Sequence, residues 1–414
     1  MKILMLSAPF PYPPTRGGTE VRTFNLMDYL RQRHEITLVT QRQPVVTDEE
    51  IHELERYVTR LEVFPPGQGN AGGGVLGKAK RFAEFLRDGC PSYVRSYEQP
   101  HMQALIDREV ATGHYDAITC EHSINEIFVR PEWRDRLNTV IDVHSSVFAS
   151  CRQQLENGAA INPLRERLNL PLLERYERQH CQKFSTIVAT TPEDGVQMRE
   201  FSQHSKIHII PNGVDLSLFP FRDADSIPAD NHRLIFVGAM NTVANIDSAM
   251  FLAKEVFPLV RDRYPDATLS FVGTSPTPEV KALEAIEGVE VTGRVPSMVD
   301  YLHRSAVCVL SMRIGYGIKN KTLEALAAGV PVVASDSGLE SLAVDGKQDG
   351  KPVPLAALRA NTVPEYVAQI SRVFEEADLR RSLVIHGREL IERSFTWERA
   401  GQAYEAALLG QPNR

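Results

Sequence analysis

The stretch 313–337, RIGYGIKNKTLEALAAGVPVVASDS, constrains this chain more than any other. Two glycines, Gly315 and Gly317, precede two lysines, Lys319 and Lys321. A short amphipathic helix follows with one acid, Glu324. Gly329 ends it, and Pro331 leads into an apolar β-type run, VVAS. Loop amides and lysines at a helix N-terminus form an anion site, because unpaired N–H groups and the helix dipole both favour negative charge there. Glu324, one turn further on, would repel that anion. Its carboxylate suits a pair of neighbouring hydroxyls, such as those of a ribose. An anion beside a ribose points to a nucleoside diphosphate.

The rest of the chain supplies a scaffold for such a loop. Residues 2–7, KILMLS, are a continuous apolar run that predicts a buried strand. A Pro-rich loop and Arg16, Gly17, Gly18 then lead into a helix with Val21, Phe24, Met27 and Leu30 at helical spacing, and 36–40, ITLVT, is strand-like. Strand–loop–helix–strand is the unit of a parallel sheet. Helices are expected at 49–59, 75–88 and 163–184, and strands at 115–120, 139–143 and 186–189. Thr191 then caps a helix with Pro192 at its first position.

Residues 209–221, IIPNGVDLSLFPF, are rich in turn formers and read as a hinge shaped by Asn212 and Asp215. The β/α rhythm restarts with strands at 233–238, 268–273, 289–292, 307–311 and 332–335. Helices are expected at 246–264, 278–287, 298–305, 364–375 and 379–392, and after a Phe-Thr-Trp break at 397–409. The expected fold is α/β, with Rossmann-like doubly wound domains at 1–208 and 209–393 and a terminal helix in 394–414. Ligands of such sheets lie at the carboxyl ends of the strands, so a cleft between facing domains is the expected site.

Lys plus Arg total 46 against 53 Asp plus Glu, a net charge of −7 that argues against bulk nucleic-acid binding. The five cysteines are scattered, with no CxxC pair. Neither a zinc site nor a disulfide framework is indicated, and a reducing cytoplasm fits. No apolar run reaches the ~20 residues of a membrane span. The N-terminal run is too brief for a signal peptide and lacks its cleavage site. The glycine-rich patch 67–77 reads as a surface loop. The helix 75–88 is basic and amphipathic, with Phe82, Phe85 and Leu86 set against Lys78, Lys80, Arg81 and Arg87. It either packs on its own domain or lies on the inner face of an anionic membrane.

PNGVD (211–215), VTGRV (291–295) and K-x-LEALAAGVPVVAS (321–335) occur in one order with the Gly17-Gly18 loop, Asp142-Val143-His144 and Phe236-Val237-Gly238. Together they resemble the retaining glycosyltransferases of family four, also called group one, which have the GT-B fold. The resemblance spans nearly the whole chain. It implies a C-terminal domain that holds a sugar nucleotide, an N-terminal domain that holds a carbohydrate or lipid-linked acceptor, and a last helix that crosses back to the first domain. It implies hexosyl transfer by front-face attack, in polysaccharide or glycolipid assembly, with neither metal nor cofactor. Carried onto this chain, His144, Lys321 and Glu324 are the catalytic candidates. Gly17, Gly18, Arg294, Arg313, Gly315, Gly317 and Lys319 join Lys321 and Glu324 as donor-binding candidates. Asp142, Glu121 and His122 fall on the acceptor side.

The chain departs from the family pattern twice. Tyr316 stands where the first of two spaced glutamates is usual, which leaves the donor sugar open. Gly238-Ala239-Met240-Asn241 lacks the Gly-Arg pair and near lysine that usually hold the diphosphate. Lys319, Lys321 and Arg313 are therefore expected to supply that charge. Alternatives are a non-catalytic sugar-nucleotide-binding paralogue, and another GT-B enzyme such as an epimerase or inverting transferase. A dinucleotide-dependent oxidoreductase is disfavoured, because no strand is followed by G-x-G-x-x-G.

Overall fold

The structure is a computed structural model and describes residues 1–67, 75–156, 158, 160, 162–228, 230–315, 317–348 and 350–411. The chain divides into two compact units, Met1–Pro211 with Trp397–Arg414, and Asn212–Thr396. The first unit runs to Pro211 rather than 208, because Ile210 still donates its amide to Ala189 at 2.8 Å. The second reaches Thr396 rather than 393, because Val214 donates to the Phe395 carbonyl at 2.8 Å and bridges Thr396.

Unit 1 is built on seven parallel strands: β1 (Lys2–Ser7), β2 (Glu35–Gln41), β3 (Arg60–Phe64), β4 (Ala117–Glu121), β5 (Asn138–Val143), β6 (Thr186–Ala189) and β7 (Lys206–Ile209). Their order is β3-β2-β1-β4-β5-β6-β7. Strand direction of travel reverses between β1 and β4, the topological switch point at which such sheets bind ligands. The pleat sends alternate residues of β1 to opposite faces. Ile3 and Met5 pack with Phe24 and Met27 of the helix Gly18–Leu30, and with Tyr404 and Leu408 of the last helix, Trp397–Leu408. Leu4 and Leu6 join the opposite core with Ile106, Phe128 and Phe184. Close packing pins the last helix in place: a Cβ at Gly401 would lie 2.2 Å from Tyr29 Cγ.

Unit 2 has six parallel strands in one sheet: β8 (Arg233–Val237), β9 (Thr268–Val272), β10 (Val289–Gly293), β11 (Val307–Leu310), β12 (Val332–Ala334) and, beyond a short antiparallel pair β13 (Lys347–Gln348) and β14 (Lys351–Pro352), β15 (Leu358–Arg359). The order is β10-β9-β8-β11-β12-β15, with the switch point between β8 and β11. Cys308, Val309, Leu310, Val332 and Val333 are fully buried. Helices on both faces of a parallel sheet require such continuous apolar runs.

The expected glycine-rich loop at 67–77 lies mostly outside the described residues, as does Tyr316. The basic helix forms as Val75–Asp88, with the side chain of Lys78 outside the described residues and Phe85 buried. Among the described residues no helix is long and apolar enough to cross a membrane.

Candidate active site

In unit 2 the switch point gathers Gly238, Asn245, Lys321 and Glu324. β8 delivers Gly238 in a conformation, φ 151°, that a side chain rarely adopts. Glycine is also needed there for space: a Cβ would lie 2.8 Å from Lys321 Nζ and 2.7 Å from Asn245 Nδ2. Lys321 is the second residue of the helix Asn320–Ala327. Its ammonium donates to Asn245 Oδ1 at 2.5 Å and stands 4.6 Å above the Phe236 ring. Burial lowers its pKa to about 8. Glu324 sits one turn along on the same helix, and burial raises its carboxyl to about 7 against the opposing pull of Lys321. Its carboxylate is partly accessible and accepts no hydrogen bond from the described residues.

The other expected cations have partners. Arg313 forms two bonds to Asp247, at 2.9 and 2.5 Å, and covers the Phe251 ring. Lys319 caps the helix, donates to the Gly317 carbonyl and meets Glu340 at 3.2 Å. Among the described residues, Lys321 is the one of these three without a carboxylate in salt-bridge range. Gly315 and Gly317 have φ of 120° and 79° in the loop before the helix. Arg294 is exposed after the edge strand β10, two strands from β8. Asn212 donates to Asn320 at 2.9 Å and so holds the first residue of the lysine-bearing helix.

Unit 1 collects Glu121, His122, Asp142 and His144 at the ends of β4 and β5. Arg22, which the sequence did not single out, reaches Asp142 through two bonds at 2.7 and 2.9 Å, with both side chains buried. Burial alone would raise Asp142, but Arg22 and His144 hold it down at about 2. His144 Nε2 lies 3.5 Å from Asp142 Oδ2, long for a hydrogen bond. Its ring meets that of His122 edge-on at 5.1 Å. Burial and His144 push His122 down to about 3.

Glu121 accepts from Tyr404 at 2.6 Å and Thr119 at 2.9 Å, and its second oxygen has no partner. Burial, with Asp142 nearby, raises Glu121 to about 8. At neutral pH the cluster therefore holds one charged acid, Asp142, and one protonated acid, Glu121. Glu121, Asp142 and His144 have ligand atoms within 4.8 Å of one another, a spacing a metal ion would accept. The Arg22 guanidinium already occupies both Asp142 oxygens and opposes a cation. The donor set fits an ion pair better than a metal centre.

Gly17 precedes the helix Gly18–Leu30 with extended backbone, and the Glu20 carboxylate lies where a Cβ at Gly17 would stand, 2.8 Å away. Gly18 faces open space. An anion at this helix end would have to displace Glu20. Sequence patterns missed Asn245, Arg22 and Tyr404, which reach their sites from other elements. A buried arginine and a buried tyrosine on otherwise apolar helix faces were the available signals.

Two doubly wound parallel-sheet units are the parts of the GT-B fold. A model of the family described as Glycosyltransferase Family 4 matches residues 16–218, and one described as Glycosyl transferases group 1 matches residues 231–376. The chain belongs to the family-four, group-one glycosyltransferases. It is 24% identical over 218 residues to Glycosyltransferase 1 domain-containing protein 1 of Xenopus tropicalis, a match that takes in 49% of this chain and 60% of that protein. Anabaena HepE, crystallised with UDP and glucose, has the same fold at a TM-score of 0.62 and 14% identity, over 99% of each chain. TarM matches at 0.64 and 12% identity, over 98% of each chain. A Rickettsia africae glycosyltransferase matches at 0.63 and 12%, over 99% of this chain and 98% of the other.

Proposed function

We propose that this protein transfers a hexosyl group from a nucleoside-diphosphate sugar to a hydroxyl of a carbohydrate or lipid-linked acceptor, with retention and without a metal. The observation that carries this reading is the Lys321–Glu324 pair beside Gly238: among the described residues, a part-buried ammonium with no carboxylate in salt-bridge range, and a carboxylate that accepts no hydrogen bond. Ionised Glu324 accepts the two ribose hydroxyls. Lys321 faces the diphosphate and stabilises the charge that builds on it as the sugar leaves, an electrostatic contribution already oriented before reaction. The C1–phosphate bond breaks, the C1–acceptor oxygen bond forms on the same face, and the departing phosphate takes the acceptor proton. In unit 1, His144 is the candidate catalytic imidazole, and Asp142 and Arg22 hold its surroundings fixed. Crystals of HepE with UDP and glucose, and of Staphylococcus aureus TarM with UDP and alpha-GlcNAc-glycerol, support a nucleotide sugar as donor.

The test is transfer from UDP-, GDP- and ADP-sugars to a saccharide panel, with the product anomer assigned by NMR. An inverted product overturns retention, and loss of turnover on chelation overturns metal independence. A binding-only role is the second reading. It draws on the pairing of Arg313 with Asp247 and Lys319 with Glu340, which leaves one lysine for the diphosphate. Tight nucleotide binding without nucleotide release across the panel would favour it. For lipid-linked acceptors, peripheral membrane contact through the helix Val75–Asp88 is part of the same proposal, and sedimentation with anionic vesicles reads it.

A further inference from the structure

Two cavities in unit 1 share a wall. The smaller, about 410 Å³, lies at the switch point of the sheet, with Pro9 after β1, His122 after β4, and Thr19 and Glu20 of the first helix in its lining. The larger, about 580 Å³, is lined in part by Ser92, Tyr93 and Arg95 of the short helix Ser92–Arg95. Tyr93 and Ser96 line both. Each volume falls in the ~300–1,000 Å³ range of small-molecule sites.

The chemistry of the larger cavity selects its occupant. Arg81 and Glu84 come from the basic helix, and Arg95, Glu98 and His101 from the segment after it. Arg95 is further offset by Asp88 at 2.9 Å. Among the described lining residues two arginines stand against two glutamates, so an anionic phosphate meets Glu84 and Glu98 and a cation meets the arginines. An acyl chain would meet too many charges. Hydroxyl-rich neutral ligands satisfy both kinds of group, since each hydroxyl donates and accepts. Tyr93 is 40% exposed and lines both cavities, and an aromatic ring there suits the C–H side of a sugar.

We propose that the two cavities are consecutive subsites for an uncharged oligosaccharide acceptor, the unit to be glycosylated lying by His122 and the preceding units running past Tyr93 to His101. This rests on the glycosyltransferase reading and narrows its acceptor from a carbohydrate or lipid-linked hydroxyl to an uncharged saccharide chain. The basic helix then forms a sugar wall through Arg81 and Glu84.

The experiment titrates the full chain with gluco-, galacto- and manno-configured mono- and tetrasaccharides by saturation-transfer NMR, and separately with UDP-, GDP- and ADP-glucose. At least one tetrasaccharide is expected to bind about tenfold tighter than its monosaccharide, the worth of one aromatic platform with its polar neighbours. Tyr93→Ala should remove most of that advantage, and Glu98→Ala part of it. Both side chains are on the surface, so the fold is not at issue. Equal binding of long and short saccharides, an advantage that survives both substitutions, or no saccharide binding at all overturns the subsites. Saccharide binding with no nucleotide-sugar binding upholds the subsites and overturns the transferase reading instead.

Discussion

Lys321 Nζ and Asn245 Oδ1 meet at 2.5 Å, closing a polar bond between two helices beside the Cα of Gly238. Neither partner can move far without losing the other, and the glycine leaves no room for a side chain. The bond aims a cation at the end of β8 before any ligand arrives.

Gly238→Ala should therefore act through Lys321. The added methyl would sit 2.8 Å from Nζ and strain the φ of 151°. Donor affinity is expected to fall about tenfold, in line with loss of a charge-assisted bond. Overpacking should also lower stability by about 1–3 kcal/mol. Calorimetric titration with the preferred sugar nucleotide and a denaturant midpoint read the two effects.

The pH profile of donor capture follows from the two shifted groups. In the proposed donor site Glu324 acts ionised and is held up at about 7, while Lys321 acts protonated and is held down at about 8. The competent form is lost as pH falls below the first value and again as pH rises above the second. A bell-shaped kcat/KM for donor is expected, since that ratio reports the free enzyme. Glu324→Gln should abolish the acid limb and keep the alkaline one.

Folding stability should carry a separate signature from Glu121. Its pKa is raised to about 8, so its contribution is full below the ordinary carboxylate range and is lost as pH rises through 8. His122, lowered to about 3, has the opposite sign: its contribution is full above the ordinary imidazole value and is lost as pH falls through 3. Unfolding midpoints at about pH 6 and about pH 9 should differ in the wild type, and Glu121→Gln should narrow the difference.

Tyr404 ties the last helix to this cluster. Tyr404→Phe removes one of the two donors to the buried Glu121 Oε1, which then keeps Thr119 alone. A loss of about 1–3 kcal/mol is expected. Deleting 397–414 should do far more, since Tyr404, Ala407 and Leu408 belong to the core of unit 1. Chemical denaturation of both variants checks the ranking.

Glu177 makes a comparable tie behind His144. Its carboxylate accepts from the amides of Val147 and Phe148 at 2.6 and 3.2 Å and from Ser146 Oγ at 2.6 Å, fixing the segment that follows the imidazole. Glu177→Ala should lower turnover through a displaced His144 as well as stability. Glu177→Gln, which keeps an acceptor, should recover much of both. Equal losses in the two variants would count against the positioning role.

The parts of the fold that were plain in the sequence are those set by local pattern. β1, β8 and β11 are nearly unbroken apolar runs, and each is a buried central strand. β3 and β7 escaped notice because they are the edge strands of the first sheet, short and carrying charge in RLEVF and KIHI. Lys321 and Glu324 were legible because three residues of helix put them on one face. What neutralises Lys319 and Arg313 was not, since Glu340 and Asp247 come from other elements and no spacing rule connects them. The same holds for Tyr404 and Glu121, partners 283 residues apart.

The central claim is that Lys321 and Glu324 hold a nucleoside-diphosphate sugar. Titrating UDP-, GDP- and ADP-glucose into the wild type, Lys321→Ala and Glu324→Ala tests it most directly. At least one of these is expected to bind the wild type, and each substitution to weaken it by about tenfold or more, the range of a charge-assisted bond. Wild-type affinity retained in both variants would contradict it.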